Sequence, residues 1–274
     1  MSQKPPIPGI QHIVAVASGK GGVGKSTVAA NLALALAAEG RRVGVLDADI
    51  YGPSQPRMLG AEKAQLESPD GKRPHPVRAH GLQTMSIGYL VAEDTAMIWR
   101  GPMATQALHQ LLNDTLWDRL DVLVVDLPPG TGDIHLSLVQ KIPLSGAVIV
   151  TTPQDIALLD ARKGLRMFQK VSVPVLGVIE NMSTHVCSKC GHEEPIFGQG
   201  GGANLAAEEG IELLGQIPLD MRIREQADGG RPTVVAEPDS DVARRYREIA
   251  RRLWAKLSQG GTAPPFPKIT LEDD

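Results

Sequence analysis

Short apolar runs alternate with longer helix-like stretches along most of the chain. Seven runs have the length of a buried strand, and they cover residues 13–17, 42–46, 82–87, 122–125, 147–151, 175–179 and 213–217. Helices are predicted over residues 28–38, 103–113, 156–170 and 241–257. Continuous apolar runs are typical of strands that are buried on both faces of a parallel sheet. The pattern therefore predicts an α/β fold with a doubly wound, mostly parallel sheet flanked by helices.

The same pattern predicts one domain over residues 1–258, without internal repeats. Residues 60–80 are rich in Pro, Lys and Glu. We expect them to form a surface excursion, because the strands on both sides of them are needed in the same sheet. Residues 259–274 contain Gly, Pro and terminal acids, and we expect them to form a flexible tail.

Composition limits the partners and the compartment of the protein. The 274 residues include 28 Lys plus Arg against 31 Asp plus Glu, so no overall basic field attracts nucleic acid. Two cysteines do not make a disulfide framework. The start of the chain contains no apolar stretch of signal-peptide length, and no apolar run approaches the roughly 20 residues of a membrane span. We expect a cytoplasmic protein without nucleic acid and without stable membrane association.

The segment between the first predicted strand and the first predicted helix, ASGKGGVGKST at residues 17–27, has the pattern of a phosphate-binding loop. Glycines let backbone N–H groups approach phosphate, and the start of the following helix is electropositive. Lys25 is expected to reach the β- and γ-phosphates, Ser26 to bind Mg²⁺ and Thr27 to bond an α-phosphate oxygen. The predicted nucleotide-binding residues of this segment are Gly19, Lys20, Gly21, Gly22, Val23, Gly24, Lys25, Ser26 and Thr27.

Acidic residues end two other predicted strands. Asp47 and Asp49 follow the second run, and Asp126 follows the run at 122–125 in a Walker B arrangement. Parallel strands bring these carboxylates to the same edge as the glycine-rich segment. Asp126 is expected to hold Mg²⁺ through a water, Asp49 to orient the attacking water, and the Gly130 backbone to sense the γ-phosphate. The predicted Mg²⁺ site consists of Ser26, Asp49 and Asp126, and the predicted catalytic residues are Lys20, Lys25 and Asp49.

A cysteine pair lies beyond the nucleotide motifs. Cys187 and Cys190 form a Cys-x-x-Cys motif followed by Gly191, a turn that can direct two thiolates at one metal ion. Zinc and iron–sulfur clusters usually take four ligands, which two copies of the chain related by a two-fold axis would supply. A site within one chain that adds His185 and His192 is an alternative, as is chance spacing without metal. A thioredoxin-like redox role fits less well, because that motif opens a helix.

The remaining histidines and the tryptophans predict no second site. The histidines show no ligand spacing among themselves. We expect them to be surface or loop residues: His12, His75, His80, His109 and His135. The three tryptophans are scattered, which favours packing over stacking on nucleic-acid bases.

The glycine-rich segment, with its additional lysine Lys20, resembles the deviant Walker A loop of the MinD, ParA and nitrogenase-iron-protein group. In that group the extra lysine contacts nucleotide across a dimer interface, so the resemblance implies a homodimer. Further motifs extend the resemblance to the Mrp/ApbC family over residues 10–255: SGKGGVGKS (18–26), DADIYGPS (47–54), DLPPGTGD (126–133), ENMS (180–183), the cysteine pair, IFG (196–198) and GQIPLD (215–220).

This second resemblance implies a function. It implies a slow ATPase that uses ATP and Mg²⁺, holds a [4Fe-4S] cluster at a homodimer interface and transfers the cluster to apo iron–sulfur proteins. It implies that Cys187 and Cys190 bind the cluster and that Asn181 reads the adenine base.

Two other functions use the same nucleotide residues. A MinD- or ParA-like positioning ATPase would act on membrane or DNA, and the predicted helix 241–257 is its best support because arginines surround its apolar stripe. Such a stripe is more typical of a helix that packs on its own domain. An ATPase with a structural zinc at the cysteine pair differs from the cluster carrier only in the metal.

Overall fold

Each apolar run predicted above is a strand in the computed structural model, which describes residues 5–90, 101–187 and 189–259. The strands are β1 (Ile10–Ala17), β2 (Val43–Asp47), β3 (Val77–Ala79), β4 (Leu82–Ser86), β5 (Leu120–Asp126), β6 (Gly146–Thr151), β7 (Val175–Val186), β8 (Glu193–Glu194) and β9 (Leu213–Leu219). The helices are α1 (Lys25–Ala38), α2 (Gln55–Met58), α3 (Gly101–Asp114), α4 (Asp133–Lys141), α5 (Asp155–Lys170), α6 (Gly201–Glu208), α7 (Met221–Asp228), α8 (Thr233–Ala236) and α9 (Asp241–Ser258).

All four predicted helices are present as α1, α3, α5 and α9. The prediction for residues 60–80 was incomplete, because this segment ends in β3, which pairs with β4 in an antiparallel arrangement. Strand β7 is longer than predicted, since the mostly polar residues 180–186 continue it beyond its apolar part. Of the predicted tail, 259–274, only Gln259 lies within the described residues, and it caps the end of α9.

The strands of the described residues form one sheet in the order β3-β4-β2-β5-β1-β6-β7, and β8 and β9 both pair with β7. All pairs are parallel except β3 with β4 and β7 with β8. His185 of β7 is in register with Leu219 of β9 and with Glu194 of β8, so these two strands flank the end of β7 from opposite sides.

Helices cover both faces of the sheet, which confirms the predicted doubly wound fold. On β1, Val14 and Val16 belong to the core that α1 and α9 cover. Ile13 and Ala15 alternate with them and belong to the core that α3, α4 and α5 cover. A parallel sheet buried in this way has apolar residues at every position, and these are the continuous runs seen in the sequence.

The apolar stripe of α9 belongs to the first core. Its members are 0–5% exposed and are Val242, Tyr246, Ile249, Leu253 and Leu257. Helix α9 packs on α1 and β9, so the stripe stabilises the domain, as its amphipathic pattern favoured. Within the described ranges, no helix combines the length and the hydropathy that a membrane span requires.

The register of the central strands aligns their carboxyl ends. Asp126 at the end of β5 lies beside Val16 of β1 and beside Asp47 of β2. The segments that follow β1, β2 and β5 therefore meet at one edge of the sheet, which we call the nucleotide edge. Strand β7 lies in the same sheet, two strands from β1.

Candidate functional site

The loop between β1 and α1, residues 18–24, is the phosphate loop at the nucleotide edge. Gly22 and Gly24 have φ of +82° and +79°, in the left-handed region that favours glycine. Gly24 also begins α1 without a side-chain cap, so the first N–H groups of this helix are not taken up by a capping side chain. A Cβ on Gly24 would lie 2.3 Å from Asn181 Nδ2. The loop has the backbone geometry of an anion site at a helix N-terminus.

Lys25 and Asp126 form a buried ion pair at this edge. Lys25 is 6% exposed and Asp126 is fully buried, and the Lys25 ammonium contacts Asp126 Oδ1. The ammonium also donates to Ser26 Oγ at 3.1 Å. A buried charge without a partner is strongly destabilising, so each member of this pair depends on the other. The structure thus brings three of the predicted residues into direct contact.

Asp47 is the second fully buried carboxylate of the edge. Its Oδ2 accepts hydrogen bonds from the backbone N–H groups of Ser54 at 2.9 Å and Gln55 at 3.0 Å, and from the Ser86 hydroxyl at 3.2 Å. Burial, followed by the nearby charge of Asp126, raises the pKa of Asp47 to about 7. Asp47 therefore fixes the segment that follows β2.

Asp49 lies two residues further along and is only half-buried. Burial raises its pKa, and the Lys25 charge opposes that shift. Its Oδ1 accepts a hydrogen bond from the Gly52 N–H at 3.3 Å. Asp49 is thus electrostatically coupled to Lys25 and, unlike Asp47, keeps access to solvent.

Gly130 and Lys20 are two further predicted nucleotide residues at the edge. Gly130 has a φ of +99°, and its N–H donates to the Ser18 carbonyl of the phosphate loop at 3.0 Å. Lys20 is half-buried, and across residues 5–90, 101–187 and 189–259 its ammonium takes part in no ion pair. The backbone of Gly130 and the phosphate loop are therefore directly connected.

Asn181 connects β7 to the phosphate loop. Its Nδ2 donates to the Val23 carbonyl at 2.8 Å, and the residue is 7% exposed. Its position at the nucleotide edge fits the prediction that it contacts nucleotide. Whether it reads adenine is untested by this contact and stays a prediction.

Sequence reasoning missed Gln55. This residue begins α2 and is 1% exposed. Its Nε2 donates to Asp126 Oδ2 at 2.8 Å and to the Ser26 carbonyl at 3.0 Å. No motif indicated this, because Gln55 lies far from Asp126 in sequence and glutamine carries no signature of its own.

The prediction that His135 is a surface or loop residue was wrong. His135 lies on α4 and is 3% exposed, with its ring edge-on to Phe168 at a centroid distance of 6.2 Å. Neither ring nitrogen has a hydrogen-bond partner within the described part of the chain. Burial, and secondarily the charge of Lys25, lowers the pKa of His135 to about 4. The imidazole is therefore neutral at physiological pH.

The cysteine pair lies away from these residues, in the segment 187–192 between β7 and β8, which we call the cysteine turn. Both thiols are free. The Gly191 N–H donates to the Cys187 carbonyl, and the Cys187 N–H donates to the His192 carbonyl, both at 2.9 Å. The Cys187 sulfur accepts hydrogen bonds from the backbone N–H of Lys189, from the backbone N–H of Cys190 and from the Cys190 thiol. These hydrogen bonds, in that order of size, lower the pKa of Cys187. A turn that stabilises a thiolate is suited to metal binding.

The structure does not assemble the single-chain ligand set with His185 and His192. Within residues 5–90, 101–187 and 189–259, no three His, Cys, Asp or Glu side chains lie together in a way that could hold a metal ion. The hydrogen bond from Arg222 is the main cause that lowers the pKa of Asp220, and His185 contributes a smaller effect. The described residues of the cysteine turn begin no helix, which is consistent with the argument against a thioredoxin-like motif.

Comparison with known proteins gives the family. The model of the ParA-type NUBPL iron-transfer P-loop NTPases matches residues 9–254. An iron-sulfur cluster carrier protein of Salmonella typhimurium is 61% identical over 265 residues, which cover 97% of this chain and 72% of that protein. The iron-sulfur cluster transfer protein NUBPL of Mus musculus is 49% identical over 259 residues, which cover 94% of this chain and 81% of that protein.

Solved structures agree with this result. A nucleotide-binding protein of Archaeoglobus fulgidus in complex with ADP has a TM-score of 0.75 at 38% identity, covering 86% of this chain and 92% of that chain. The cell division ATPase MinD of Pyrococcus furiosus shares the fold, with a TM-score of 0.64 at 24% identity, covering 89% of this chain and 98% of that chain. This chain belongs to the NUBPL iron-transfer P-loop NTPase family.

Proposed function

We propose that this chain is a cytoplasmic ATP-binding and ATP-hydrolysing carrier that holds a [4Fe-4S] cluster between two copies of itself and delivers it to apo iron–sulfur proteins. The names of the Salmonella and mouse relatives support cluster carriage. The phosphate loop and the Lys25–Asp126 pair support nucleotide binding. The free thiols of the cysteine turn support the cluster.

The observation that carries the proposal is the course of β7. Asn181 in this strand donates to the phosphate loop, and the strand ends at Val186, directly before Cys187. Glu180, fully buried, fixes the strand by accepting hydrogen bonds from the Gly202 N–H and from Gln216 Nε2. One anchored strand therefore joins the nucleotide edge to the thiols, and a rigid element of this kind is a physical route for coupling.

The donors at the nucleotide edge fit a magnesium ion. Ser26, Asp49 and Asp126 offer hydroxyl and carboxylate oxygens, which Mg²⁺ prefers. Bound with ATP, Mg²⁺ neutralises the charge that develops on the β- and γ-phosphates. Lys25 would leave Asp126 for these phosphates, and this move frees Asp126 Oδ1. Gly130 would exchange its hydrogen bond to Ser18 for a γ-phosphate oxygen.

Three further residues have proposed roles in nucleotide binding and hydrolysis. Asp49 is half-buried and interacts electrostatically with Lys25. It would orient the attacking water. Thr27 follows Ser26 in the first turn of α1 and would bond an α-phosphate oxygen. Lys20, which has no ionic partner among the described residues, would contact the nucleotide of the partner copy. Two copies joined in this way would also provide four thiolates for one cluster.

The test is anaerobic reconstitution with iron and sulfide, followed by iron, sulfide and zinc analysis. Wild type is expected to hold about four irons and four sulfides per dimer. Cys187→Ala is expected to lose them, while His192→Ala is the matched control in the same turn and keeps them. Iron that persists in Cys187→Ala would refute the cysteine assignment. Metal lost in both variants would favour the single-chain site, and zinc in place of iron would favour a structural metal.

A further inference from the structure

Gln55 occupies a junction that the proposed mechanism does not yet use. Its backbone N–H donates to Asp47, and its side-chain amide donates to both Asp126 Oδ2 and the Ser26 carbonyl. It is buried at the point where the segment after β2, the first turn of α1 and the end of β5 meet. One side chain therefore contacts two of the three residues predicted to hold Mg²⁺, Ser26 and Asp126.

The two oxygens of Asp126 have different partners. Lys25 holds Oδ1 and Gln55 holds Oδ2. If Lys25 moves to bound phosphate, Gln55 becomes the remaining side-chain partner of Asp126 that the structure describes. A buried carboxylate that keeps one fixed hydrogen bond stays oriented, whereas one without any is free to rotate.

The other end of the amide is unsatisfied. Gln55 Oε1 is buried and has no hydrogen-bond partner within the described residues. The amide cannot be turned around, because Nε2 faces two acceptors, Asp126 Oδ2 and the Ser26 carbonyl. A buried carbonyl oxygen without a partner is unfavourable, so its presence next to residues predicted to hold Mg²⁺ calls for a donor. The hydration shell of Mg²⁺ is such a donor, because Mg²⁺ usually keeps several of its waters.

We propose that Gln55 is a positioning residue for magnesium, in which Nε2 orients Asp126 and Oε1 accepts a hydrogen bond from the hydration shell of the ion. This inference rests on the proposed binding of nucleotide with Mg²⁺. If the inference is correct, Gln55 affects the affinity for Mg²⁺ and does not affect the contacts between phosphate and the phosphate loop. The two effects are separable by measurement.

The experiment is a titration of ADP binding to the full chain, first in EDTA and then with increasing Mg²⁺. Gln55→Met keeps the length of the side chain and removes both hydrogen-bonding groups. It is expected to bind ADP in EDTA within about twofold of wild type and to need about tenfold more Mg²⁺ for half-maximal effect. Gln55→Asn keeps the amide but shortens its reach, and it provides a second variant with the same expectation.

Gln83→Met is the matched control. Gln83 is also a buried glutamine, but it bonds the backbone of Asp118 at 2.8 Å through both ends of its amide. Its substitution is expected to lower the melting temperature and leave the Mg²⁺ midpoint unchanged. A folded Gln55 variant with a wild-type Mg²⁺ midpoint would overturn the inference. Absence of ADP binding by wild type would instead refute the proposed nucleotide function.

Discussion

The nucleotide edge and the cysteine turn differ in how complete they are within one chain. The edge is held together by one ion pair and by hydrogen bonds among four buried residues: Lys25, Asp126, Asp47 and Gln55. In the turn, two free thiols lie near the surface, stabilised by backbone N–H groups. The edge is pre-organised for its ligand, whereas the turn offers half a ligand set. Under the proposed function, this difference predicts that one copy binds nucleotide through its own residues, whereas binding of a cluster requires a second copy.

The largest expected effect follows from breaking the ion pair of the edge. Lys25→Ala leaves the Asp126 carboxylate buried without its cation and is expected to lower the free energy of unfolding by about 3–5 kcal/mol. Urea unfolding measures this change. Lys20→Ala is the matched control, because Lys20 has no ion pair within the described ranges, and it is expected to cost less than about 1 kcal/mol. Equal losses in the two variants would contradict the buried pair.

A smaller effect is expected from the phosphate loop itself. Gly24→Ala forces a side chain into a positive φ and against Asn181 Nδ2 at 2.3 Å, at a total cost of about 2–3 kcal/mol. In Gly22→Ala the φ is similar, but a Cβ there would meet nothing within 4 Å. This control isolates the backbone strain, about 1 kcal/mol. If both variants unfold at the same denaturant concentration, the contact between Gly24 and Asn181 has no energetic weight.

The buried imidazole of His135 predicts a pH dependence. Its pKa is lowered to about 4 in the folded state, so the unfolded chain binds the proton first as the pH falls. The neutral imidazole makes its full contribution to the free energy of unfolding above the unfolded pKa near 6.5, and this contribution is lost as the pH falls towards 4. Between pH 7 and pH 5 this loss is about 2 kcal/mol.

The comparison that isolates this loss uses unfolding free energies at the two pH values. The unfolding free energy of His135→Leu is expected to fall less between the two pH values than that of wild type, by the amount of this loss. His109 is exposed on α3, and the unfolding free energy of His109→Leu is expected to change with pH as in wild type. Parallel pH profiles for wild type and His135→Leu would show that the imidazole does not stay neutral in the folded protein.

The smallest effect is expected in the cysteine turn. Cys187→Ala removes a thiol from a surface turn, where water replaces its hydrogen bonds, and is expected to change the free energy of unfolding by less than about 0.5 kcal/mol. Its affinity for ADP is expected to match that of wild type. Destabilisation by more than about 2 kcal/mol would mean that the turn is already a structural site in one chain.

The sequence predicted seven of the nine described strands, the main helices and the phosphate loop because each has a local signal. Apolar runs marked the strands, and the glycine and lysine spacing marked the loop. Strands β3 and β8 and the end of β7 gave no such signal, because neighbouring strands hold them and their own composition does not. Gln55 and His135 were missed for the same reason, since the contacts with Asp126 and Phe168 exist only after folding.

The native mass of the reconstituted wild-type protein under anaerobic conditions tests whether the cluster lies between two chains. We expect iron and sulfide in the dimer alone, with one cluster of about four irons and four sulfides for two chains. Cluster carried by the monomer, or a dimer that takes up no iron and sulfide on reconstitution, would contradict the claim that two cysteine turns together form the site.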